Sequence, residues 1–511
     1  MEGKYNMNVI LILCDTLRVD HCGPYSRGQT LNRHNPDAPD WAVPTPNMDR
    51  FAERGTTFSN CWCGSTPCMP ARRDIYTGRY EFLERGWGPL AEEDIDLPRQ
   101  ISGEPNRSIR QMDRAGDKIS YLISNHFHLW EQGSGNYHMG YTGFDFVRGQ
   151  ESDAHHTDPV DFPCPEGDLF NKNERHWRNR HLDYTSPEDS YGRRVFQTAA
   201  DWLRRNHTYE DFFLHLDVFD PHEPWDPPEE LVKMFDPNGY DVDGWTAAPP
   251  YEQCREKISP ELFRNFQARY AAKTVQVDQW LGLLMEVLDE LELWNNTLVV
   301  LTTDHGTWNG DYGRLGKLGT HLHEGCGHIP LIMCHPEYGH GERRSQLVQL
   351  VDLYPTTLAA LGCPIPDMPV EQPLHGINLL PVLQNTGEKT RNCAIAGMFG
   401  ESVTLTDGDW ILHQSPVPGN KPLYWYGYHL ARFISYDLGP YVNGCRAVDH
   451  DPPRVTDPTW LSDKRSDLQE RHNLAEDRPG KLKEMQRKLR DKLVELRAPA
   501  EQLDRLGIRN L

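Results

Sequence analysis

Two runs in this chain are continuous in apolar side chains, 8–14 (NVILILC) and 297–303 (TLVVLTT), and a third, 211–219 (DFFLHLDVF), is mostly so. A strand with one wet face alternates polar and apolar residues. A strand apolar throughout is covered on both faces, as in a mainly parallel sheet held between layers of helices. Each run stops at polar groups: Asp15-Thr16, then Asp220-Pro221-His222-Glu223-Pro224, then Asp304-His305-Gly306. Parallel strands of an open α/β sheet end at one edge, and ligands bind there. The pattern predicts that Asp15, His222, Asp304 and His305 share that edge despite their separation in the chain. Prolines on both sides of His222 force an extended turn and keep this histidine out of the core.

The connecting segments read as helices. Tyr270, Val277, Leu281, Leu284 and Leu288 mark one stripe of a helix over 263–293, and 195–205 is a second amphipathic stretch. In 45–60, Thr45 or Asn47 is placed to cap a helix that turns Met48, Phe51 and Ala52 inward and stops at Gly55. A brief apolar run at 121–123 leads into Ser124-Asn125-His126-Phe127-His128, and a last helix begins near 479.

With 511 residues the chain is longer than one core usually serves. We place a large catalytic domain at 1–389 and a smaller, mostly antiparallel C-terminal domain at 390–511. The formal charge of −22 argues against nucleic acid or an anionic membrane as partner, since both call for a basic surface. Twelve cysteines spread thinly over this length do not form a disulfide scaffold, and Cys61, Cys63 and Cys68 lack the second cluster a zinc knuckle needs. No stretch is long and apolar enough to span a membrane. Without a secretory signal at its start the chain is expected in the cytoplasm, or in the periplasm or outside the cell if a signal has been trimmed.

The segment 65–80 (STPCMPARRDIYTGRY) carries the chemistry. A helix beginning at Cys68 tolerates Pro70 in its first turn and stacks Arg72 one turn above Cys68. Amides at its N-terminus and the arginine would make an anion pocket beside a sulfur. Cys68-x-Pro70-x-Arg72 followed by Thr77-Gly78-Arg79 closely resembles the type I sulfatase signature, with Ala71 where many members have serine. In that family the cysteine is oxidised to formylglycine by a maturation enzyme, and its hydrated aldehyde is the nucleophile.

The resemblance extends over nearly the whole chain and is weakest in 81–190. It implies an alkaline phosphatase-like fold, with Asp15, Asp304, His305 and Cys68 as ligands of a divalent cation. Calcium is the first choice, with manganese, magnesium and zinc open. Thr16 stands where many members have a second acidic or amide ligand. Lys317, after the Gly-rich run GDYGRLGK, would contact both the sulfate and the leaving oxygen, and Tyr312 replaces a histidine often seen there. Aligning Ala115-Gly116 with the family puts His126 on a sulfate-binding histidine and Ser124 on a lysine, with His128 competing for the histidine role. Arg72 would hold the hydrate, and His222 or Lys317 would protonate the leaving alcohol.

The function implied is hydrolysis of a sulfate ester, of a small molecule or a carbohydrate. The alternative is a phosphonate monoester or phosphodiester hydrolase of the same superfamily. The 131–190 segment shows no periodicity. It is either an irregular cover over the sheet or a substrate wall in which Tyr137, His138, Tyr141, Phe144, Arg148, His176 and Trp177 supply stacking faces and polar tips.

Overall fold

The computed structural model describes residues 7–511 apart from 34, 92–93, 103–117, 132–134, 171–172, 187–188, 252, 318–320, 371, 386–389, 428–440 and 443–444. Ala115 and Gly116, which aligned His126, lie outside the described residues. The main sheet has eight strands in the order Glu342–Arg344, Thr56–Phe58, Leu331–Cys334, Thr297–Thr302, Asn8–Cys14, Phe213–Val218, Ser120–Ser124 and Gly143–Phe146. The last five form a parallel block, and Leu331–Cys334 runs antiparallel to Thr297–Thr302. Asn8–Cys14 is central, with Leu13 opposite Asp217 on one side and Thr302 on the other.

The unbroken apolar character of Asn8–Cys14 has a direct cause, because both its faces are covered. Val9, Leu11 and Leu13 join a core containing Met69, Ala71 and Ile75 of the helix Cys68–Thr77. Ile10, Ile12 and Cys14 point the other way, into Val195 and Phe196 of the helix Tyr191–Asn206 and Val277, Leu281 and Leu284 of the helix Pro260–Glu290. Burial of each large aliphatic side chain contributes about 1.5–3 kcal/mol, which makes this strand a poor place for any polar substitution.

The helix Pro46–Arg54 forms as its sequence suggests, but its cap comes from elsewhere. Thr45 Oγ1 accepts from the Gly23 amide, while Asp278 of the long helix accepts from the amides of Asn47 and Met48 at 3.2 and 2.7 Å. A carboxylate at a helix N-terminus also favours the helix dipole.

A second sheet consists of Trp460–Asp463, Trp410–Gln414, Val403–Thr406 and Ala394–Met398, all antiparallel to their neighbours, with Ser65–Thr66 added in parallel at its edge. Val403, Leu405, Leu412 and Leu461 pack under Met485, Leu489 and Leu493 of the helix Pro479–Glu495. The smaller sheet therefore grips the two residues that lead into the Cys68 helix.

Segment 131–190 is more regular than its sequence suggests. Gly143–Phe146 adds an edge strand to the main sheet, and Glu174–Asp183 is a helix. That helix is polar on most sides and is held by ion pairs to its surroundings, chiefly His176 and Arg180 with Asp226, so no apolar stripe announces it. Among the described residues, no helix is long and apolar enough to cross a membrane.

Candidate active site

The helix Cys68–Thr77 begins one residue after Ser65–Thr66, with Pro67 between them and Pro70 in its first turn. Asp74 secures it by accepting from the Ser65 amide and hydroxyl and from the Glu81 amide, at 2.7, 2.7 and 2.8 Å. Gly78 ends it in the left-handed region (φ 67°), where a Cβ would also strike Leu374. These constraints fix where Cys68 stands at the sheet edge.

Around Cys68 the strand ends converge. Its Sγ lies 3.7 Å from Asp15 Oδ1, 3.6 Å from His305 Nε2 and 2.6 Å from Lys317 Nζ. Ligand atoms of Asp15, Cys68, Asp304 and His305 all lie within 4.8 Å of one another, and the four residues are buried. His305 Nδ1 is occupied by the Gly306 carbonyl at 2.7 Å, which leaves Nε2 facing the centre. Asp304 Oδ1 accepts from the amides of Thr16 and His305, so Oδ2 is the oxygen turned inward. Two carboxylates, an imidazole and the group at position 68 form a donor set suited to a divalent cation. Thr16 itself holds a left-handed backbone (φ 59°), and its buried Oγ1 has no hydrogen-bond partner.

Tyr270 of the long helix pins the Asp15 turn, and Arg18 ties that turn to the segment after Asp304. The Tyr270 hydroxyl accepts from the Arg18 amide and donates to the Thr16 carbonyl, at 2.9 and 2.6 Å. The Arg18 guanidinium reaches across to the Thr307 carbonyl and to Asp311, both at 2.6 Å.

Arg72 is fully buried and grips Asp217 through Nε and Nη2 at 2.8 and 2.6 Å. Its Nη1 lies 2.9 Å from Asp304, 3.1 Å from Asp15 and 3.1 Å from the Cys68 carbonyl. The sequence predicts that Arg72 lines an anion pocket and holds the hydrate; in the fold it is engaged by three carboxylates of the protein. Asp217 is not among the residues the sequence marks for the site, although a carboxyl inside the 211–219 strand signals it. Burial pushes the Asp217 carboxyl up to about 6 against the pull of Arg72.

Burial works against the charge of Lys317, yet Asp15, Cys68, Glu223 and Asp304 together hold its ammonium well above its usual range. Burial and Asp15 push the Cys68 thiol the same way, with Lys317 opposing. A cysteine kept as thiol is a poor nucleophile.

Of the two candidate histidines at 126 and 128, His126 reaches the centre, with Nε2 3.2 Å from Asp15 Oδ2. His128 lies outside it, with Nδ1 2.5 Å from Glu131. Ser124 accepts from the His126 amide at 2.9 Å, so it shapes this turn. His222 is buried, its Nδ1 2.5 Å from the Glu223 carbonyl and its ring against Phe219. Burial, then Lys317, lowers the affinity of His222 for a proton, against the pull of Asp15.

The aromatic wall expected from 131–190 takes another form. Tyr137 and Tyr141 are buried in the core beside Tyr76, and His176 is buried against Asp226. His138 and Phe144 pack with Trp130, Trp177 bonds Asp168, and Arg148 pairs with Asp153. Most of these residues pack within the segment or tie it to the rest of the domain, and Phe144 stays exposed.

A helix terminus bearing a cysteine at the carboxyl edge of a parallel sheet, ringed by strand-end carboxylates and an imidazole, belongs to a protein of the alkaline phosphatase-like fold. Residues 7–363 match the sequence model of the family described as Sulfatase, and the chain belongs to the sulfatase family, which makes it a sulfuric ester hydrolase. It is 25% identical to arylsulfatase K of Xenopus laevis over 484 residues, covering 88% of this chain and 77% of that protein. Human iduronate 2-sulfatase is also 25% identical, over 73% of each chain. Among solved structures, the phosphonate monoester hydrolase of Agrobacterium radiobacter superposes with a TM-score of 0.61 at 20% identity, covering 96% of this chain and 95% of its own. A protein solved in complex with its substrate D-glucosamine-2-N,6-O-disulfate gives 0.64 at 16% identity, covering 97% and 99%. At these identities the two structures speak for the fold.

Proposed function

We propose that this chain hydrolyses a sulfate ester of a carbohydrate, with residue 68 acting in its formylglycine form and a divalent cation held by Asp15, Asp304, His305 and residue 68. The observation that carries this reading is the convergence of Asp15, Cys68, Asp304 and His305, whose ligand atoms lie within 4.8 Å of one another, with the Lys317 ammonium against position 68. Oxidation of the thiol by a maturation enzyme would place oxygen at that position, among these groups.

Formylglycine supplies a hydrated aldehyde as nucleophile, and the cation supplies Lewis acidity toward the sulfuryl oxygens. Two carboxylates favour calcium, and the imidazole keeps manganese, magnesium and zinc admissible. The chain's own groups do the rest. Lys317 holds a positive charge beside residue 68, where it neutralises charge on the sulfate. Arg72 orients Asp15 and Asp304, and His126 steadies the second oxygen of Asp15. His222, just past a strand end and outside the group of candidate metal ligands, donates a proton to the leaving alcohol.

Asp304→Ala is expected to remove stoichiometric divalent metal together with activity, as read by elemental analysis of the purified protein. Metal retained at full stoichiometry would place the cation elsewhere. For His222→Ala, esters of poorly acidic alcohols should slow by about 10²–10⁴-fold while activated aryl sulfates slow far less, because a good leaving group scarcely needs the proton. Equal losses on both would move the acid role to Lys317 or His126.

The function itself is tested by assaying one preparation on sulfate monoesters, phosphonate monoesters and phosphodiesters. The highest kcat/KM is expected on a sulfate monoester of a carbohydrate. Faster turnover of a phosphonate or phosphodiester than of every sulfate tried would overturn the proposal in favour of the alternative hydrolase.

A further inference from the structure

Two carboxyl groups at the active centre have no assignment in the chemistry above. Glu223 follows His222 and is 3% exposed, and neither of its carboxyl oxygens makes a hydrogen bond. His222 Nδ1 lies 3.4 Å from its Oε2, and that nitrogen already faces the Glu223 carbonyl. Glu151 comes from the other side, out of the 131–190 segment. It sits in the left-handed region (φ 50°), and its buried Oε2 has no hydrogen-bond partner, with His128 Nε2 3.8 Å away. His128 is itself taken by Glu131.

His128, beside Glu151, packs against His126, and His126 and His222, the latter beside Glu223, share the Phe219 ring, while His126 also touches Asp15. Burial raises Glu151 to about 8 and Glu223 to about 7; Lys317 opposes the shift in both, and Asp15 adds to it. Glu223 is also the strongest charge acting on Glu151. A buried polar group left unbonded is destabilising, more so if charged, and such groups persist where a ligand satisfies them. Neither residue fits the metal group, which lies around Asp15, Asp304 and His305.

We propose that Glu151 and Glu223 form the subsite for the alcohol portion of the substrate, and that they favour a sulfate ester whose sugar presents an ammonium group to them over one that presents a carboxylate. This rests on the sulfate-ester reading above. An ammonium group brings three donors and a positive charge to two carboxyls that have neither, and favours the charged form that burial opposes. A uronate in the same place brings no cation and a further acidic group, so it leaves that penalty in place. Residues 151 and 223 thus act as a charge filter: Lys317 and the cation centre take the sulfate, and the glutamates read what it is attached to.

The test compares kcat/KM for three sulfated monosaccharides in one preparation: glucosamine 6-sulfate with a free amine, its N-acetyl form, and a 2-sulfated glucuronate, with 4-nitrocatechol sulfate as a reference for sulfatase activity. The expected order is free amine, N-acetyl, uronate, with at least about a tenfold gap between first and last. Glu151→Gln and Glu223→Gln, which keep shape and remove charge, are each expected to narrow that gap, and the double variant to bring it within about threefold. Each variant's ratio is internal to its own preparation, and if one variant does not fold, the wild-type order and the other variant still decide. A uronate turned over as well as the free amine, or a gap unchanged in the variants, overturns the subsite while leaving the sulfatase reading in place. Failure of the aryl sulfate and all three sugars would instead fall on the sulfatase reading, and the subsite would fall with it.

Discussion

Cys68→Ala is expected to leave a folded protein whose kcat on any sulfate ester is lower by about 10⁴–10⁶-fold, the scale seen when a covalent nucleophile is deleted. The fold should survive because the helix does not depend on the thiol. Its packing comes from Met69, Ala71 and Ile75, its ends are held by Asp74 and Gly78, and alanine is the best helix former available. The companion measurement is the mass of the tryptic peptide containing residue 68. Active wild-type protein should carry the aldehyde there. A preparation at full rate whose peptide shows only thiol would refute the formylglycine mechanism. Cys68 is 2% exposed in the folded chain, so a maturation enzyme meets it before folding is complete. Protein made without such an enzyme should therefore fold, carry thiol and be inactive.

Arg72→Met should be the most destabilising single substitution at the site. It removes the cation that Asp15, Asp217 and Asp304 share, with all four side chains sealed from solvent. Breaking a buried ion pair from one side costs about 3–5 kcal/mol, because the abandoned charge has no water to turn to. The loss is to be read as a shift of the denaturant midpoint at unchanged slope. Adding Asp217→Asn to Arg72→Met should recover part of it, since the bidentate partner then carries no charge, and the double-mutant cycle should show strong coupling between the two. A cost under about 1 kcal/mol for Arg72→Met would mean that a bound cation already neutralises the three carboxylates, which separates the structural role of Arg72 from that of the metal.

Several elements were readable from local sequence because their cause is local. The strand Asn8–Cys14 is apolar at every position from Val9 to Cys14 because both faces are buried, and its first polar successor, Asp15, emerges at the sheet edge. The same logic delivers Asp304 and His305 from Thr297–Thr302, and Pro70 and Gly78 bracket the helix that presents Cys68. Strand parity and helix punctuation are properties of a few consecutive residues, and they suffice to predict which side chains meet at one edge.

What the chain order cannot show is which charge answers which. Asp217 looked like an interruption in a buried strand until Arg72 closed on it, and Asp278 caps a helix more than 200 positions away. The helix Glu174–Asp183 has no apolar stripe and exists through ion pairs to Asp226, so no period announces it. Glu151 and Glu223 gain their meaning only from what is missing around them, buried carboxyl oxygens that the fold brings near His128 and His222 without donors of their own. Hydrophobic periodicity is written along the chain, whereas the pairing of buried charges is decided by distances across space, and those distances exist only once the sheet has formed.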